Sequence, residues 1–144
     1  MLGEDPQLLA VMRERLAQAG VSPRDRGVAL VVVAVGSSQD AANARTTDVA
    51  AALADGTDWA AATTAFATGP RPSVAAAVAR LHGRGVARVV IAPWFLAPGR
   101  ITDRVAAFAR ANGVAMSEPL GAHALVAATV LERFDRAVAE REAA

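Results

Sequence analysis

Residues 28–35, Val-Ala-Leu-Val-Val-Val-Ala-Val, contain no polar position, are mostly β-branched and end at Gly36. A strand with one wet face alternates apolar and polar residues, whereas one covered on both faces reads as a continuous apolar run. The run therefore predicts a central strand of a parallel sheet. Upstream, Asp5-Pro6 reads as an N-cap followed by proline at the first helical position, and Leu8, Leu9, Met12 and Leu16 recur at helical spacing up to Gly20. Downstream, Gln39 or Asp40 can cap a helix through Leu53 that stops at Asp55-Gly56, and a weaker strand over 61–67 ends in Thr68-Gly69-Pro70. Ser73 is a candidate N-cap for a helix carrying Val74, Val78 and Leu81, punctuated by Gly83 and Gly85. A third strand is expected over 86–92, broken by Pro93, followed by a loop over 94–99 and a helix over about 102–111. Asn112-Gly113 stops that helix, a short strand follows at 114–117, and Pro119-Leu120-Gly121 leads into a final helix over about 124–140.

Strands alternating with helices imply right-handed βαβ units, so the expected fold class is α/β, a four-stranded parallel sheet with helices on both faces. Ligands of such sheets bind beyond the carboxyl ends of the strands, where the strand order reverses. For an order 2-1-3-4 that point lies between the first and third strands, and the loops 36–40 and 93–99 would face each other across one cleft. A short internal repeat adds to this. Leu2-Gly3 and Glu14-Arg15 can be laid on Leu120-Gly121 and Glu132-Arg133 at one constant offset, which makes the first helix resemble the closing helix of an earlier repeat.

At 144 residues the chain suits one domain. Although 53% of it is hydrophobic, its longest strongly apolar run is far short of the ~20 residues of a membrane helix, so no membrane partner is expected. Met1 leads directly into polar residues rather than a signal sequence, which points to a cytoplasmic protein. With no cysteine, disulfides, thiolate catalysis and Cys-based metal sites are excluded. The 15 basic residues, all arginine, are scattered among 14 acids for a net charge of +1, and aromatics are 4%. Nucleic-acid surfaces show basic clustering with stacking aromatics, so none is expected here.

Candidate chemistry is sparse. Gly36-Ser37-Ser38 could cradle an anion with backbone N–H groups, or could be a tight turn with serine capping. It lacks the further glycines and the lysine of a nucleotide loop, and no Gly-x-Ser-x-Gly elbow makes either serine a nucleophile. His82 sits at a helix end, where it suits the helix dipole, and His123 opens the last helix, facing the loops. Two histidines remote in sequence and lacking an acidic pair do not make a metal site. Trp94-Phe95-Leu96 could be core packing at the end of the sheet, an apolar wall for a flat ligand, or a contact to a partner domain.

Four segments in register carry a family resemblance: residues 31–44 (Val-Val-Val-Ala-Val-Gly-Ser-Ser-Gln-Asp-Ala-Ala-Asn-Ala), Pro72-Ser73-Val74, residues 88–99 (Arg-Val-Val-Ile-Ala-Pro-Trp-Phe-Leu-Ala-Pro-Gly) and residues 118–123 (Glu-Pro-Leu-Gly-Ala-His). Together they resemble the sirohydrochlorin chelatases of the CbiX/SirB type over nearly the whole chain. The resemblance implies a flavodoxin-like half-domain, paired with a second half in the same polypeptide or a homodimer. Such an enzyme inserts Co²⁺ or Fe²⁺, as substrate, into a tetrapyrrole during cobalamin or sirohaem synthesis, and no bound cofactor is expected. It also implies a histidine before the Gly-Ser of the first loop and another two residues after the glycine of the Phe-Leu-x-x-Gly segment. Here those positions are Val35 and Ile101, and Thr68 stands where an acid is expected. Metal insertion needs a ligand for the ion and a base for the pyrrole protons, which histidine supplies near neutral pH and valine and isoleucine cannot.

The chain therefore resembles most the C-terminal, non-catalytic half of a two-domain member, with residues 1–20 a junction helix ending a preceding repeat and 26–144 the chelatase domain. The residues expected to line a ligand cleft are Gly36, Ser37, Ser38, Thr68, Trp94, Phe95, Gly99, Arg100 and His123, with no catalytic or metal-binding residue. A different reading makes the chain a non-catalytic module that binds a tetrapyrrole or metabolite or serves as a structural partner. A third has short chains dimerise, with chemistry from His123 or Asp103.

Overall fold

The computed structural model describes residues 5–121, so the final helix expected over 124–140, His123, and residues 1–4 lie outside the described residues. The order of elements is α1 (Pro6–Gln18), β1 (Val28–Ala34), α2 (Asp40–Ala54), β2 (Ala61–Phe66), α3 (Val74–Gly83), β3 (Arg88–Pro93), α4 (Arg100–Ala111) and β4 (Ala115–Met116). The strands form one parallel sheet, as the alternation of elements implies, and their order is β2-β1-β3-β4.

β1 is buried at every position because it is central and both its faces are covered. Val28, Leu30, Val32 and Ala34 face a core shared with Leu8, Val11, Met12 and Leu16 of α1 and Val49, Ala50 and Leu53 of α2. Ala29, Val31 and Val33 face a second core with Ala77, Val78 and Leu81 of α3 and Val105 and Ala109 of α4. The period-2 alternation of a strand thus feeds two helical layers.

Local chemistry fixes the helix starts. The Asp5 carboxylate accepts from the Gln7 amide at 2.8 Å with Pro6 following, and the Ser73 hydroxyl accepts from the Ala76 amide at 3.2 Å. Gln39 precedes α2 without a side-chain cap, and so does Gly99 before α4.

Several boundaries differ from expectation. Val35 lies beyond β1, whose last ladder pair is Ala34 with Phe66. β3 starts at Arg88 rather than 86 and keeps Pro93, which lies opposite Val33 at the strand end, where a missing amide does least harm to the ladder. α4 begins at Arg100, so Gly99 and Arg100 form a helix start rather than the end of a loop. β4 is only two residues long, as suits a strand with one neighbour.

Candidate functional site

At the carboxyl edge of the sheet, the turn after β1 is built around one glycine and one asparagine. Gly36 has φ +96°, a left-handed conformation, and a Cβ there would overlap the carbonyl oxygen of Gly69. The loops after β1 and β2 can therefore touch only because position 36 has no side chain. They are also bonded: the Ala67 amide donates to the Ala34 carbonyl at 2.8 Å, and the Thr68 hydroxyl to the Val35 carbonyl at 2.6 Å.

Asn43, buried in the first turns of α2, clamps the other side of the loop. Its Oδ1 accepts from the Ser37 amide at 2.9 Å and its Nδ2 donates to the Ser37 carbonyl at 2.8 Å. The Ser37 hydroxyl accepts from the Gln39 amide at 3.1 Å. Of the two readings of Gly36-Ser37-Ser38, this geometry is the serine-capped turn, because the Ser37 and Gln39 amides already have acceptors. Sequence reasoning missed Asn43. The signal was available, since Asn43, Thr46, Val49, Ala50 and Leu53 follow the inward stripe of a helix and put two polar residues on an apolar face.

The expected meeting of the two loops does occur. A cavity of about 400 Å³ is lined by Ala34, Val35, Gly36, Thr46, Trp94, Phe95 and Leu96. Trp94 and Phe95 lie past the last strand residue, yet they continue its alternation. Trp94 joins Val90 and Ala92 in the α1/α2 core, and Phe95 joins Val89 and Ile91 in the α3/α4 core. The Trp94 amide donates to the Val33 carbonyl at 2.8 Å, which extends the β1–β3 ladder by one step. Both rings are thus core plugs that also form the cavity floor. Leu96 projects instead, 38% exposed, and matches Val35 at 38% across the cavity mouth; these are the exposed large hydrophobics among the described residues.

Other candidates fall elsewhere. Ser37, Ser38, Thr68, Gly99 and Arg100 lie on the same edge without lining that cavity. Ile101 faces a separate hollow of about 160 Å³ with Ala67, Val74, Arg104, Val105 and Phe108, so Val35 and Ile101 do not share a cavity. His82 is exposed in the last turn of α3, which leads into the start of β3 and hence lies at the opposite edge. Among the described residues no group of three or more His, Asp or Glu side chains could hold a metal ion. Nor is any described helix long and apolar enough to cross a membrane. Among the described residues, what the edge offers is a small hollow lined mostly by apolar side chains, with Thr46 the polar one.

Comparison with known proteins agrees with this architecture. The CbiX family model matches residues 29–137, and the chain belongs to that family. Its fold is also that of SirB from Bacillus subtilis, solved with Fe³⁺, at a TM-score of 0.80 and 20% identity. That match covers 98% of this chain and 57% of SirB, so the chain spans little more than half of the length of that relative. The putative cobalamin (vitamin B12) biosynthesis CbiX protein from Marinobacter aquaeolei VT8 matches at a TM-score of 0.60 and 22% identity, over 80% of this chain and 98% of its own. No curated protein matches the sequence.

Proposed function

We propose that this chain is one half of a cytoplasmic sirohydrochlorin chelatase, the half that closes the substrate cleft without carrying the chemistry. The observation that carries the reading is the makeup of the site edge. A valine, a threonine and an isoleucine occupy positions 35, 68 and 101, where the family resemblance implies a histidine, an acid and a second histidine. The edge keeps its shape through Gly36 and Asn43, while those three side chains supply neither a metal ligand of histidine type nor a base. The coverage of little more than half of SirB supports a partner half.

In this mechanism the second half contributes the histidines that receive Co²⁺ or Fe²⁺ and accept the pyrrole protons. The residues at 35, 94, 95 and 96 present an apolar face to the macrocycle and exclude water from it. Desolvation strengthens the electrostatic interactions within the closed site. The activity is tested by an absorbance time course with sirohydrochlorin and Co²⁺ or Fe²⁺. The chain alone should not exceed the spontaneous rate, and adding a histidine-bearing half should raise turnover above that half's own rate. Turnover by the chain alone that vanishes in His123→Ala would overturn the reading in favour of self-sufficient dimers. A second reading, a binding module without catalysis, is favoured by the apolar cavity. It predicts sirohydrochlorin binding with no stimulation of any partner half.

A further inference from the structure

Away from the cleft, a further hollow of about 260 Å³ lies between the edge strand β2 and helix α3. It exists because the sequence puts small side chains where strand and helix meet. Ala61, Ala76 and Ala77 line it beside Leu81, and alanine leaves a gap that a longer side chain would fill. Thr63 lines it too, from the face of β2 that also turns Ala61 and Ala65 towards α3. The Thr63 hydroxyl has no hydrogen-bond partner among the described residues.

Arg80 in the last turn of α3 and Arg84 at its C-cap line the same hollow. Both are exposed, and neither guanidinium has a hydrogen bond or an ion pair among the described residues. The carboxyl end of a helix favours positive charge, which explains arginine there but not why two of them stand on the side that meets the hollow. Like charges one turn apart repel, and no acidic side chain lines the hollow to offset them. The surrounding sequence supplies little: residues 71–112 hold seven arginines and a single acid, Asp103, which lines a different hollow with Arg110.

We propose that the hollow between β2 and α3 binds a small phosphate monoester, its phosphate held by Arg80 and Arg84 with the Thr63 hydroxyl as a further donor, and its short carbon chain on the alanine floor. A phosphate monoester carries close to two negative charges at neutral pH, which matches the two arginines. Planar guanidinium groups also bind phosphate oxygens in bidentate fashion. Volume sets the size: 260 Å³ lies below the roughly 300 Å³ at which pockets for drug-sized ligands begin, so the carbon part is a few atoms long. The site is separate from the cleft at Gly36 and independent of the chelatase reading.

NMR titration of the full-length chain with n-propyl phosphate, in phosphate-free buffer, tests it. Amide shifts of Thr63, Ala77 and Arg80 should saturate together, while those of Gly36 and Leu96 stay in place. Inorganic phosphate should bind at least about fivefold more weakly, since it leaves the apolar floor wet. Butyrate, with one charge, should bind at least about threefold more weakly than n-propyl phosphate. The double variant Arg80→Gln, Arg84→Gln should weaken n-propyl phosphate at least about tenfold. Ala76→Leu, which fills the hollow and keeps both arginines, should bring n-propyl phosphate down to the affinity of inorganic phosphate. Equal affinity for n-propyl phosphate and inorganic phosphate in the wild type would reduce the site to a charged surface and overturn the proposal. So would shifts centred on Gly36 and Ser37, butyrate binding as tightly as n-propyl phosphate, or no saturation in the millimolar range. Unchanged amide shifts in β1 verify the fold of each variant; if Ala76→Leu perturbs them, the arginine variant and the comparison of probes decide.

Discussion

The Thr68 hydroxyl donates to the carbonyl oxygen of Val35 at 2.6 Å, and the Thr68 amide donates to the same oxygen at 3.2 Å. The two positions at which the family resemblance implies a histidine and an acid are thus joined through one carbonyl. A polar contact that holds two loops together stands where the resemblance implies reactive side chains.

Position 35 should be free to change. Val35 is 38% exposed and outside the ladder, so Val35→His should alter stability by no more than about 0.5 kcal/mol, as for most surface substitutions. Denaturant unfolding checks this. A loss several times larger would show that the valine serves packing rather than replacing a functional side chain.

Gly36→Ala should be severe. The new Cβ meets the Gly69 carbonyl in a backbone conformation with positive φ, so a loss of at least about 2 kcal/mol is expected from strain and displacement of the loop after β2. A thermal melt should show a drop of several degrees or more.

Asn43→Ala leaves the amide and carbonyl of Ser37 without their side-chain partners. The expected cost is about 1–3 kcal/mol. Exchange of the amide at 37 should accelerate relative to β1, which separates loosening of the loop from global destabilisation. Asn43→Asp should keep the bond from the Ser37 amide and lose the one to its carbonyl, giving an intermediate effect.

Leu96→Asp should leave the melting temperature within about 2 °C, because a mostly projecting side chain contributes little to the core. The isolated wild-type chain is expected to self-associate through its bare edge. The substitution should shift sedimentation towards monomer. Identical association in both proteins would place the contact elsewhere.

Much of the fold was legible in the order of residues. The apolar run 28–35 marked a strand buried on both faces, Asp5-Pro6 and Ser73 marked helix starts, and the alternation of elements implied a parallel sheet; all are present, and the strand order is the 2-1-3-4 for which the cleft was placed. Local rules act over a few residues, so one sequence carries them whole. The resemblance to the chelatase family was legible in the same way, in four short segments kept in register.

Tertiary structure decided matters that depend on residues distant in sequence. Trp94 and Phe95 were legible only as apolar, and pairing with β1 made them plugs of opposite cores. The loop at Gly36 could have been an anion cradle until Asn43, six residues on from Ser37, was seen to hold that residue. Val35 and Ile101 look like two members of one site in sequence, yet they face different hollows, because one leaves the end of β1 and the other stands in the first turn of α4. The sequence determined which elements form, and it put Val35, Thr68 and Ile101 at positions where the family resemblance implies reactive side chains. Only three-dimensional packing, in which burial and hydrogen bonding join residues far apart in the chain, decided which residues meet there and which helix covers each face of the sheet.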